Sequence, residues 1–317
     1  MLTRVFGQIN SATSILLVVY ALLIGGVYFY INPVLDLYIS TAAGKFLLNP
    51  IFAWGVVITG NIGLMLGYQQ LFYGQHKLVK HHALVPFVLL PLVILAGLNT
   101  LLVSTILAVF LFGLSYSWLA VYSGQKLLSV ALNAGFILGI GSLFSSIFTL
   151  FLPFTWVVYM VYGRLNVRTF IIPVIGYLTI WIDAIALDYL LADSTFVWHF
   201  FINQFKWSGV LGVWQANWPI LVFFGILLLP GIAEFTVTFN RANVFKRQTF
   251  VVLILLLAGA IPLFLFGGKT IVPLVVFVPI IAVLFVNYLQ YVKRKWVREL
   301  ALWLVLASYV VLLKPWL

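Results

Sequence analysis

The chain of 317 residues carries only six carboxylates, and half of them fall within one stretch, WIDAIALDYLLAD, spanning Trp181–Asp193. Closely placed carboxylates do general acid–base work or bind a divalent cation, so Asp183, Asp188 and Asp193 are the first candidates for chemistry. Helical geometry limits what they do together. Five residues turn a helix by about 500°, so Asp183 and Asp188 point about 140° apart. Asp193 is about 80° from Asp183 but some 15 Å away along the axis. No two of them make a dyad on one helix, and any pair needs an acid from elsewhere. Asp36 is the expected partner, as a base, with Asp183 or Asp188 orienting a substrate or a metal ion.

The elements that position these acids follow from composition. Charged residues make up 7% of the chain and hydrophobic ones 64%, against roughly 25% charged in a soluble domain. Mean hydropathy is +1.19. Such a chain is expected to be all-α, a polytopic transmembrane bundle forming one integral membrane domain over residues 1–317. Eleven apolar segments are long enough, or nearly so, to cross about 30 Å of hydrocarbon: 12–31, 49–73, 83–98, 101–120, 127–145, 146–163, 169–192, 219–239, 249–266, 270–290 and 299–316. Tryptophan (11) and tyrosine (15) cluster at segment ends, as interfacial belts require. The first segment is expected to be a retained signal-anchor, since no A-x-A-like cleavage site follows it.

With the N-terminus inside, Arg4, Lys77, Lys80, Lys126, Arg164, Arg168, Arg241, Lys246, Arg247, Lys293, Arg294, Lys295 and Arg298 all fall on the cytoplasmic side. Only Lys45, Lys206, Lys269 and Lys314 fall outside. That asymmetry predicts an N-terminus inside, a C-terminus outside and a multi-pass bacterial inner-membrane location. It also explains the net charge of +11 without nucleic acid. Lys293, Arg294, Lys295 and Arg298 form the densest juxtamembrane cluster and are expected to meet anionic lipid headgroups.

In this topology Asp183 sits in the outer third of the seventh segment, and Asp188 and Asp193 mark its outer end. An intramembrane acid is expensive unless it faces a cavity or a partner. Asp183 is therefore expected to carry function or to hydrogen-bond within the bundle, and Asp188 and Asp193 to cap a solvated end. Glu234 follows Pro230-Gly231 in the inner part of the eighth segment and is expected to pair with Arg241. Glu299 belongs to the basic inner surface. Residues 194–218 are too aromatic to float and too interrupted to span, so they are expected to lie along the outer interface. Trp198, His199, Lys206 and Trp207 are their candidate substrate-binding residues.

Several motifs carry no chemistry. FGGKT at Phe266–Thr270 lacks the upstream glycine of a phosphate loop, because Leu263 occupies that position. His76, His81 and His82 are not at the i, i+4 spacing of a helical zinc site. The chain has no cysteine, which removes thiolate ligands and nucleophiles. No cofactor is evident. GFILG at Gly135–Gly139, extended by Gly141, has the small-xxx-small form of close helix packing.

A resemblance follows from the residues between Lys77 and Ala192. HKLVKHHALVPFVLLPLVI precedes LLSVALNAGFILGIGSLFSSIFTLFLPFTWVVYMVYGRLNVRTFIIPVIGYLTIW. The order is a basic turn, a hairpin of segments, N-A-G-x-x-x-G-x-x-S-L-F, an R-x-x-x-R turn and Pro-x-x-Gly. This resembles an uncharacterised family of multi-spanning inner-membrane proteins from Bacteroidota, which implies no particular activity. More loosely, a first segment followed by an outer acid, Asp36, resembles GT-C-type polyprenyl-phosphate-dependent membrane glycosyltransferases. The first outer loop here is shorter, and no large outer domain follows the bundle. That likeness implies a lipid-linked substrate at the outer leaflet in cell-envelope glycan assembly, with a divalent metal if the chemistry is shared. The competing expectations are a non-catalytic scaffold subunit among other membrane proteins, and a transporter using Asp183 and Glu234.

Overall fold

The fold is that of a computed structural model, which describes residues 15–23, 38–41, 44–47, 50–71, 84–96, 101–121, 126–191, 210–241, 244–266 and 272–313. Among these residues there are eleven helices: α1 (15–23), α2 (Pro50–Gln69), α3 (Leu84–Ala96), α4 (Leu101–Ala120), α5 (Leu127–Phe144), α6 (Phe151–Val161), α7 (Val167–Leu191), α8 (Val210–Arg241), α9 (Val244–Phe266), α10 (Val272–Tyr291) and α11 (Lys295–Leu313). Each answers to one of the eleven apolar segments. A short antiparallel hairpin, β1 (Tyr38–Thr41) with β2 (Gly44–Leu47), stands within the connection between the first two helices. A 3-10 turn, Ser146–Leu150, joins α5 to α6.

Among the described residues, three helical stretches, Leu127–Phe144, Val167–Leu190 and Trp218–Val237, are long and apolar enough to cross a membrane. The eighth helix begins earlier than its apolar pattern suggests. It runs for 32 residues, about 48 Å, and takes residues 210–218 of the aromatic segment into its first turns.

Helices α3 and α10 form the centre. Both are apolar all round, and such helices belong inside a bundle. Every described side chain of α3 from Leu84 to Val93 is buried, as is α10 from Val278 to Asn287. They pack on each other. Helix α10 also meets α4, α8 and α9, and α3 meets α2, α4 and α11. Pro91 inside α3 has no N–H for the carbonyl of Phe87, one turn earlier. The Tyr20 hydroxyl of α1 donates to that carbonyl at 3.3 Å, and its ring stacks on Phe87 at 4.9 Å. The proline thus creates the acceptor that docks the first helix.

The most extensive contact is between α5 and α7. A Cβ on Gly135 would collide with the backbone of Pro173, one on Gly139 would lie 2.8 Å from Ile180 Cβ, and one on Gly176 2.7 Å from the Leu132 carbonyl oxygen. The two backbones touch, and only glycine allows it. The register rises together along both helices, so α5 and α7 are parallel and α6 returns between them. The α6–α7 turn is fully specified by sequence. Gly163 takes a left-handed φ of +64°. Its N–H donates to the Met160 carbonyl at 2.9 Å and that of Arg164 to Tyr159 at 2.8 Å, which closes α6. Asn166 and Thr169 cap α7 reciprocally at 2.8 and 2.9 Å. Trp156 then clamps the turn, stacking on Phe170 at 4.3 Å and donating to its carbonyl at 3.0 Å.

The glycine contacts make a sharp prediction. Gly135→Ala should lower the thermal midpoint of the purified protein by the equivalent of about 1–3 kcal/mol of overpacking. Gly63→Ala on α2, where a Cβ meets nothing within 4 Å, should not lower it, and should raise it slightly because alanine favours the helix.

Candidate functional site

Helix α7 carries the acids, and its contact with α5 decides which way each one points. Pro173, Gly176, Tyr177, Trp181, Ala184 and Asp188 form its buried stripe. The Trp181 indole N–H donates to Ser142 Oγ on α5 at 2.8 Å, and Ser142 Oγ donates to the Gly139 carbonyl at 2.7 Å. Tyr177 OH and Thr149 Oγ1 lie 2.8 Å apart. These bonds lock the rotation of α7.

Asp188 ends that stripe and is buried, with 7% of its surface exposed. Asp183 is exposed. The sequence expectation is reversed: Asp188, not Asp183, is the acid held inside, and the solvated helix end assigned to Asp188 is corrected. The cause is the glycine seam, which turns positions 176, 177 and 181 toward α5, and 184 and 188 continue the same face of α7. The 140° separation then carries Asp183 to an open side. The two do not pair. Asp36, Asp193, Trp198, His199, Lys206 and Trp207 lie outside the described residues.

The remaining charged candidates are spread out. Glu234 is half-buried on α8. It stands one turn beyond Gly231, where a Cβ would approach Leu284 of α10 to 2.9 Å. Lys293 and Arg294 are exposed between α10 and α11, and Lys295 is exposed at the first position of α11. Arg298 differs from them: it is half-buried, and its Nε is shielded without a hydrogen-bond partner. Among the described residues no three His, Asp or Glu side chains converge on a point.

One feature escaped the sequence reading. A groove of about 580 Å³ runs between α2 and α4, lined by Val56, Gly60, Gly63, Thr105, Val109 and Phe112. At Phe112 it meets a second hollow of about 330 Å³ bordered by Gln70 and Tyr116. The signal was the glycine spacing of α2, at positions 60, 63 and 67. On the same pair of helices, buried Asn61 donates to the Val57 carbonyl at 2.9 Å and to Thr105 Oγ1 at 3.4 Å.

The arrangement is that of a helical bundle with apolar helices of membrane-crossing length and its acids held apart. Its sequence matches the family of unknown function DUF6427 over residues 8–314, and the chain belongs to that family. No curated protein and no solved structure matches it.

The two acids should separate in stability. Asp188 is buried and has a partner in the structure, so Asp188→Ala removes a buried polar interaction and should cost about 1–3 kcal/mol. Asp183→Ala should leave the thermal midpoint of the detergent-purified protein where it is.

Proposed function

We propose that the chain crosses the bacterial inner membrane eleven times, N-terminus inside and C-terminus outside, as a non-catalytic membrane subunit of a cell-envelope assembly. The crossing is supported by the match of eleven helices to eleven apolar segments and by the parallel course of α5 and α7, two segments apart. The turn bearing Arg164 and Arg168 and the start of α5 at Lys126 lie at one end of that pair, as a positive-inside chain requires.

The single observation behind the scaffold role is the setting of α7. It is a membrane-length helix of 25 residues, yet the bundle covers only one stripe of it. Phe170, Ile171, Ile175, Leu178, Ile182 and Leu187 are all at least 44% exposed, and an acid lies among them. A helix made this way presents a face to something.

A second reading, a handler of lipid-linked substrate with GT-C-like character, draws on the α2–α4 groove and on buried Asp188. The groove suits a hydrocarbon chain. Asp36 would act as base and Asp188 would orient the substrate or a divalent cation.

The topology is testable because the natural chain has no cysteine. Single cysteines at Lys206 and Lys269 should react with a membrane-impermeant maleimide in intact cells. Those at Lys126 and Asn166 should react only after permeabilisation. Labelling at all four positions in intact cells would remove the proposed topology. For the role, purification from native membranes in mild detergent should give a stoichiometric heteromeric complex. A chain recovered alone, together with loss of the null strain's envelope phenotype rescue in Asp188→Asn at normal protein level, would favour the second reading.

A further inference from the structure

Asp183 lies sixteen residues into the twenty-five of α7, about 12 Å from its far end. On the membrane reading above, on which this inference rests, that depth is inside the hydrocarbon. A carboxylate there is strongly disfavoured on a lipid-facing surface. Two of its neighbours one turn away are small: Thr179 at i−4 and Ala186 at i+3, both exposed. Thr179 turns its hydroxyl back to the Ile175 carbonyl at 2.9 Å, so it asks nothing of the surroundings. Ile182, Leu187 and Leu190 flank the strip, 65%, 50% and 75% exposed. Positions 179, 183 and 186 have the i, i+4, i+7 spacing of a helix-packing seam, and small residues on either side of an acid let another backbone come close.

Charge decides what fits. Between Arg168 and Leu191 the helix has no basic residue. A second copy docked α7 to α7 about a two-fold axis would set Asp183 near its own equivalent, acid facing acid. The acid needs a cation at its own depth. We propose that the Thr179–Asp183–Ala186 strip docks a transmembrane helix of a different protein, through an ion pair from Asp183 to a lysine or arginine in that helix. The pair removes the cost of an acid in hydrocarbon and fixes both register and partner choice. It also explains why an exposed position of an otherwise apolar helix holds a carboxylate.

The test is site-specific photocrosslinking in intact cells. A photoreactive residue replaces Ile182 or Ala186, with Leu229 of α8, 69% exposed, as the control face. The proposal expects a single protein adduct at 182 and 186 and none at 229. The crosslinked peptide should come from a membrane-spanning segment with Lys or Arg within one turn of the attachment point. Asp183→Leu should cut the adduct by about tenfold or more, since an uncompensated buried cation is left behind, and Asp183→Glu should retain it. Exchanging charges, Asp183→Lys with the partner's cation changed to Asp, should restore it. Adducts only to lipid, to a second copy, or to residues 192–209 of the same chain would overturn the proposal, as would a partner segment without a cation. An Asp183→Cys variant separates the two layers of inference. If an impermeant maleimide labels it readily in intact cells, the membrane reading of α7 itself fails. Crosslinks to lipid alone leave that reading standing and remove only the partner.

Discussion

The backbone contact between α5 and α7 is the constraint on which the arrangement of the acids depends. Hydrophobic burial does not drive helices together once both sit in lipid, so close packing and a few interhelical hydrogen bonds must do it. Gly135, Gly139 and Gly176 remove the side chains that would hold the helices apart. The Trp181–Ser142 bond then selects one rotation of α7. From that rotation everything about the acids follows: Asp188 turns in and Asp183 turns out.

The same economy recurs elsewhere in the bundle. Several helix pairs share a polar tie. Asn61 reaches Thr105 between α2 and α4. The Trp118 indole donates to Thr155 Oγ1 at 3.1 Å between α4 and α6. Tyr20 reaches the carbonyl that Pro91 sets free on α3. Such bonds are worth little individually, about 1 kcal/mol. Their value is directional, because apolar surfaces alone permit many rotations and translations. Prolines and glycines, which ordinarily break helices, here supply an acceptor and a contact.

Periodicity and charge in the sequence carry the helix count, the α5 packing motif and the 140° divergence of Asp183 from Asp188. They do not carry which of the two acids is inside. That depends on how α7 is rotated against α5, and the rotation is set by contacts between residues about forty positions apart, such as Ser142 and Trp181. The extension of α8 back to Val210 was hidden for a different reason. Trp214 and Trp218 read as interfacial residues, and Pro219 reads as a helix start, although a helix tolerates proline when its partner carbonyls find other donors. The α2–α4 groove is a space between helices, and only the glycine spacing of α2 hinted at it.

The proposed membrane subunit, with an interior acid that would stabilise the fold and an outward acid that would recognise a partner, would account for both carboxylates with one helix. The claim turns on the rotation of α7. Electron paramagnetic resonance on the purified protein in lipid bilayers reads that rotation directly, with single nitroxides at Asp183→Cys and Asp188→Cys. The label at 183 should be mobile and relaxed by lipid-dissolved oxygen, and the label at 188 immobilised and shielded. Equal accessibility at the two sites, or the reverse order, would contradict the orientation and the division of roles that follows from it.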